Sequence, residues 1–393
     1  MPITTISARQ GQVAAAVEVT EGNEQAIVAA DAVLAYDINF NPDVALFTRA
    51  PVRGSLSKLP GVPGIKIGTI AFRAEMRGSG NVAQAPEVDT FLRACGLQRR
   101  IVDTAAIGAV SSGNLIIEGG EPLTFAPSGA TGIAVLDTEN GASVLRYVEL
   151  TGTVANGDTV TGGNSGAQAT LSAVPSTNQG FAYTPVSDGV PSLSLAFFND
   201  GIKHLLIGAR GNVSADATVG EPGFYSFTFT GVYSETVDEA VLTGTSYDAT
   251  IPPSFEEIGF GFFDVAAGDD TPCFTTLNAD MGGTVEPRLC ARAAGGIISA
   301  AYTDRNPTGS MDPEMNLVAE IDYYGKLRNG DVGHMSSEWG TVAGNVVGFC
   351  APKAQIAGIA PGDRNNLSVG TLSLNFVTAT VDTGDDEVMF VYV

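Results

Sequence analysis

The sequence predicts a mainly β protein built from antiparallel sheets in a sandwich or barrel, with one flanking α-helix. Three observations predict it. Apolar residues recur with a period of two in segment after segment, leaving one wet face on each. The 393 residues include 48 Gly and 20 Pro, the punctuation of strands joined by tight turns. Only one stretch carries a clear helical period.

Taken in order, the first strong strand is 69–76, where Ile70, Phe72 and Met76 share one face and Arg73 and Glu75 the other. The helix is expected over 86–95. Pro86 suits the first helical position, and Glu87 and Asp89 suit the positive end of the dipole. Val88, Phe91, Leu92 and Cys95 form one apolar stripe, and Gly96 supplies a left-handed stop. Residues 148–171, with five glycines, read either as a hairpin module inserted on the surface or as a long flexible loop. The insertion as a whole is placed at about 135–185. The Ser- and Gly-rich stretch 106–125 is expected to be a long loop that orders on assembly.

Further strands are expected at 192–197, where Leu193, Leu195 and Phe197 alternate with small residues, and at 225–230, where aromatics alternate with hydroxyls. Another is expected at 372–376, and the chain ends on Val388, Phe390 and Tyr392. A weak internal echo sets 207–233 against 301–325, with Arg210 and Arg305 as equivalents. It suggests two copies of one β unit, 1–235 and 236–393.

The charge is uneven. The net charge is −23, so nucleic acid and anionic lipid should be repelled. Residues 211–287 hold thirteen carboxylates and no Lys or Arg, either as an ordinary solvated acidic face or as a surface to which something must not stick. The basic residues are 15 Arg and 5 Lys, which fits bidentate ion pairs and protein interfaces or a compositional bias. The N-terminal stretch has no charged segment followed by an apolar run, so no signal peptide is expected, and no run of 18 apolar residues predicts a membrane span. Four scattered cysteines without a CxxC pair suggest reduced thiols.

Catalytic patterns are missing. There is no G-x-S-x-G, no phosphate-binding glycine loop, and only two histidines, His204 and His334. Asp385-Asp386 and Asp363 sit in turn sequences, though calcium binding stays open for Asp363. No enzyme and no cofactor are expected.

Seven segments in order resemble the major tail tube proteins of long-tailed, siphovirus-like bacteriophages. They are 48–56 (Thr-Arg-Ala-Pro-Val-Arg-Gly-Ser-Leu), 68–80, 86–96, 203–213, 227–231, 303–309, and 351–356 followed by Pro361-Gly362-Asp363-Arg364. Asn366 stands where the family usually has Gly, so that turn is expected to differ. The resemblance covers most of 45–130 and 190–393, and the insertion lies outside it.

The resemblance implies two tail-tube-type β units and rings of six stacked into a hollow tube within a virion, assembled in the host bacterial cytoplasm. It implies a tape-measure protein, a tail terminator and distal tail proteins as partners. Genomic DNA would pass through without specific binding, and no membrane is involved. A carboxylate-lined bore would suit that passage, with Asp238, Glu239, Glu256, Glu257, Asp269 and Asp270 as candidates from the acidic run. Arg53, Arg210, Arg305 and Arg364 are placed in Gly/Asn-rich turns at strand ends, as candidate contacts between rings or subunits. The alternatives are another virion β-sandwich component, such as a decoration protein, and an adhesin-like binding module.

Overall fold

A computed structural model describes residues 10–55, 57–111, 113, 116–138, 141–263 and 272–393. The protein is mainly β, as expected. Its strands form a sixteen-stranded antiparallel sheet, a six-stranded sheet and one separate hairpin.

The centre of the large sheet is a continuous strip of eight strands. Its order is Tyr36–Arg49, Leu59–Glu75, Phe224–Asp238, Ile202–Thr218, Thr276–Asp280, Thr308–Met311, Leu367–Phe376 and Val347–Arg364. Two of these strands also belong to a second layer. The first half of Ile202–Thr218 pairs with Leu193–Asn199, which continues to Gly11–Val17. The first residues of Val347–Arg364 pair with Met389–Tyr392, which continues to Phe181–Pro185 and Leu97–Ile101. The register shifts at 207/210 and at 356/358, beside the places where these strands change partners. Bulges of this kind let one strand turn the corner between packed layers.

Between the layers lies the main core. From the strip come Ile70, Phe72, Tyr225, Phe227, Phe229, Val213, Leu277, Met311, Leu372 and Leu374; the second layer and helix supply Phe91, Tyr183, Trp339, Phe390 and Tyr392. These are the inward members of the period-two segments. The aromatics interlock: Phe91 meets Phe72, Phe227 and Phe229 at ring distances of 5.1, 5.8 and 5.7 Å. The Tyr392 hydroxyl donates to that of Tyr225 at 2.8 Å, so neither is buried unpaired.

The expected helix forms over Asp89–Ala94, with Phe91, Leu92 and Ala94 buried and Gly96 in the left-handed region at φ 81°. A second helix, Tyr323–Asn329, was not expected. The Asp322 side chain caps it by accepting from the Gly325 N–H, and Gly330 ends it at φ 71°. The two halves of the internal echo differ in element type at this point: 225–233 lies in a strand, whereas 319–325 is a turn leading into this helix. The units 1–235 and 236–393 share one sheet and one core, joined where Ile202–Thr218 pairs with Thr276–Asp280 and where Phe181–Pro185 pairs with Met389–Tyr392.

The insertion is larger than expected and starts earlier. Six strands between 103 and 170 form a sheet with its own core around Leu123, Phe125, Leu145, Tyr147 and Val160. Phe181–Pro185, placed inside the insertion by the sequence, belongs to the main sheet. The described residues of 107–121 form the expected long connection, outside any strand or helix, but it is packed onto the insertion by isolated bridges from Ile107, Ser111 and Ile117. The stretch 106–125 contains buried Ile107, Val110 and Ile117, and the edge of the strand Pro122–Ala126. Glu121, with no exposed surface, accepts from the Ser165 hydroxyl and from the N–H groups of Glu118, Asn164 and Ser165, which pins the glycine-rich turn that the sequence left open.

Candidate assembly surface

The strip of eight strands has one face in the core and one face turned away from it. Short polar side chains line the second face. One register row crosses the whole strip: Tyr36, Arg73, Ser226, Ser214, Asp280, Thr308, Asn375 and Gln355. The next row is Glu75, Phe224, Asp216, Asn278, Ser310 and Ser373. None of these residues is buried. The sequence folds this way because Asn212, Ser214, Asp216 and Thr218 alternate with Val213, Ala215 and Ala217, which sends every second residue to the core.

The two carboxylates in the middle of this face are held by amides on neighbouring strands. The Asn212 amide donates to Asp280 at 2.8 Å and the Asn278 amide donates to Asp216 at 2.5 Å. The Gly282 N–H adds a second donor to Asp280. No guanidinium or ammonium is paired with either carboxylate among the described residues. Arg73, at one side of the face, lies over the Phe224 ring at 4.4 Å and 3.9 Å from Asp37. Beside it the Tyr36 hydroxyl donates to Glu75 at 2.6 Å, which pushes the phenol's pKa up.

Both edges of the strip are open. Tyr36–Arg49 pairs only with Leu59–Glu75, and beyond Gln355 the strand Val347–Arg364 has a neighbour on one side only. Each edge carries a proline, Pro42 and Pro361, which removes one donor and discourages indiscriminate strand addition. The turn between Val347–Arg364 and Leu367–Phe376 is the two-residue loop Asn365-Asn366, both at positive φ (54° and 65°), so Asn serves there as Gly would.

The hairpin 36–75 also projects beyond the core. Leu46, Phe47 and Val62 are 65, 62 and 50 % exposed, and Val52 at its tip is fully exposed. Residues 44–66 contain Arg49, Arg53, Lys58 and Lys66 and no carboxylate, in a chain of net charge −23. This is a basic, apolar extension on an acidic molecule.

The sequence candidates fare unequally. Arg53 sits in the exposed tip, donates to the Ser57 carbonyl, and has no carboxylate partner among the described residues. Arg210 lies inside the strand Ile202–Thr218, not in a turn, and is bound to Glu21 at 2.7 Å and to the carbonyls of Val190 and Ala300. Arg305 bridges Asp385 and Glu387 at 2.5 and 3.0 Å. Arg364 bridges Asp312 and Glu314 at 2.9 and 3.2 Å. These three guanidiniums tie distant segments of their own chain together.

Burial raises the Asp385 and Asp312 carboxyls, but hydrogen bonds outweigh it and both end below the usual carboxylate range. Ser187 and Arg305 supply these bonds to Asp385, and the Thr275 hydroxyl with backbone donors supplies them to Asp312.

Among the acidic candidates, Asp238 and Glu239 end the strand Phe224–Asp238, with Glu239 3.1 Å from Lys203. Glu256 and Glu257 are exposed just after Ser254, which bridges to Pro222 at the opposite end of that strand. The two pairs are therefore separate surfaces, roughly 45 Å apart along an extended strand. Asp269 and Asp270 lie outside the described residues. The carboxylates on the polar face, Asp216 and Asp280, were inside the acidic run but not singled out. Their signal was the alternation around them rather than local charge density.

His204 stacks on Phe40 at 4.3 Å and shares a hydrogen bond with Thr236, and burial lowers its pKa. Among the described residues no group of three or more His, Cys, Asp or Glu side chains is arranged to hold a metal ion. Among the described residues no helix is long and apolar enough to cross a membrane. No family model matches the chain, and no curated protein matches it.

Proposed function

We propose that this protein is a structural virion component, a tail tube subunit whose copies close into rings that stack into a hollow tube. The observation that carries the reading is the eight-stranded strip, with a polar face and two open edges. In an alternating antiparallel strip of even strand number, the first and last strands run in opposite directions. Copies set side by side around an axis therefore meet edge to edge in antiparallel register, and closure removes both open edges of the strip. The polar faces then line the bore with hydroxyls, amides and the carboxylates of Asp216 and Asp280, which repel a passing polyanion without binding its bases.

The basic hairpin tip, with Leu46, Phe47 and Arg53, supplies contacts between rings. Hydrophobic contact gives the affinity, and attraction between a basic tip and an acidic ring gives the orientation. The role is structural and requires no catalytic group or cofactor. The partners are further copies of the chain, a tape-measure protein that the tube surrounds, a terminator and distal tail proteins at its ends, and genomic DNA in transit.

Negative-stain microscopy of purified protein over a range of concentration and salt tests the reading. Hollow rings or tubes are expected. A uniform monomer at high concentration, unchanged by added tail-tip complexes, overturns it.

A further inference from the structure

We infer that a closed ring contains three copies of this chain, not six. The inference rests on the ring reading above and goes beyond it, because the strand geometry of one chain fixes both the tilt and the circumference of the barrel.

The strip is staggered. Starting from the row that joins Tyr36 and Arg73 at one side to Asn375 and Gln355 at the other, the first edge runs downward from Tyr36 to Arg49. The opposite edge runs upward from Gln355 to Arg364. Their midpoints differ by about eleven residues, or roughly 36 Å at 3.3 Å per residue. Pairing the free edge of one copy with that of the next spans eight strand spacings, about 38 Å at 4.8 Å each. The ratio of the two gives a strand tilt of about 43°, inside the range of about 35–45° that closed barrels adopt. The stagger is thus what a closed ring of copies needs.

Copy number then follows from circumference. With that tilt, three copies make a 24-stranded barrel about 50 Å across at the backbone, leaving a bore of about 40 Å once side chains are counted. That admits a duplex with its counterion shell. Six copies make a barrel about 100 Å across, several duplexes wide, and two copies leave only about 20–25 Å, too narrow for a duplex with its counterions. Six copies are the expectation for a chain supplying half as many strands, and this chain supplies eight.

The test is a disulfide ladder across the proposed seam. In a Cys273→Ser, Cys290→Ser background, which leaves only the buried Cys95 and Cys350 thiols, Asn41→Cys is combined in separate variants with Gly358→Cys, Ala360→Cys or Gly362→Cys. Assembled rings or tubes are oxidised and run on a non-reducing gel. A ladder in at least one variant that ends at three chains is expected, with three insertion modules per ring in class averages of the same sample. A ladder ending at six overturns the copy number and leaves the tube reading intact. Tubes with no ladder in any variant overturn the edge pairing from which the number is derived. Absence of rings and tubes from the wild-type protein counts against the tube reading itself.

Discussion

The hairpin 36–75 contains two regions that share strands but not surroundings. Towards its base, Ile70, Phe72 and Ala74 are buried against Tyr225, Phe227, Phe229 and the helix Asp89–Ala94. Towards its tip, Leu46, Phe47 and Val62 have no cover, and four basic residues stand without a carboxylate between 44 and 66. The base obeys the alternation of a half-buried strand. The tip has the composition of an interface and none of the partners within its own chain. The difference separates residues buried by the fold from apolar residues that the fold leaves uncovered.

The largest expected effect breaks the base. Phe72→Ala removes a ring packed against three other aromatics and should cost about 3–5 kcal/mol, read from chemical denaturation. Next come the internal arginines. Arg305→Ala leaves Asp385 and Glu387 facing each other with no counter-charge and should cost about 2 kcal/mol, whether or not tubes form. If Arg305 were instead a ring contact, assembly would fail with stability unchanged.

The depressed carboxyls at Asp312 and Asp385 add a pH dependence. A carboxylate held below its unfolded value of about 3.9 stabilises the fold fully above about pH 4 and loses that contribution as pH falls through its lowered value. Thr275→Val, which removes the hydroxyl donor to Asp312, should therefore raise the midpoint of acid unfolding measured by circular dichroism. An unchanged midpoint would show that the Thr275–Asp312 bond contributes nothing to acid resistance.

The smallest effect on stability belongs to the tip. Leu46→Asp with Phe47→Asp should change the folding free energy by less than about 0.5 kcal/mol while abolishing tubes. Arg53→Glu should leave folding untouched and shorten tubes most at low salt, since the attraction it removes is screened at high salt. Normal tubes from both variants would place the ring-to-ring contact elsewhere.

Strand class, the position of the first helix and the inward set of residues were legible in the local residue pattern. Alternation in segments such as 70–76 and 225–229 is a local property, and burying one face is the way such a strand is satisfied. The sequence also marked Gly96 and the Asn365-Asn366 turn, where backbone conformation follows from residue type.

Which strands neighbour which depends on the assembled fold, and so do the partners of several candidate residues. The intrachain ion pairs of Arg210, Arg305 and Arg364 could not be read locally, because their partners Glu21, Asp385 and Asp312 are distant in sequence. The second helix went unseen because seven residues give less than two full turns of pattern. Asp216 and Asp280 come from separate strands that pair only in the fold, so no local window shows them on one face. Local alternation tells a strand which way to turn its side chains, whereas a shared surface or a bridged charge depends on chain segments that meet only after the sheet has closed over its core.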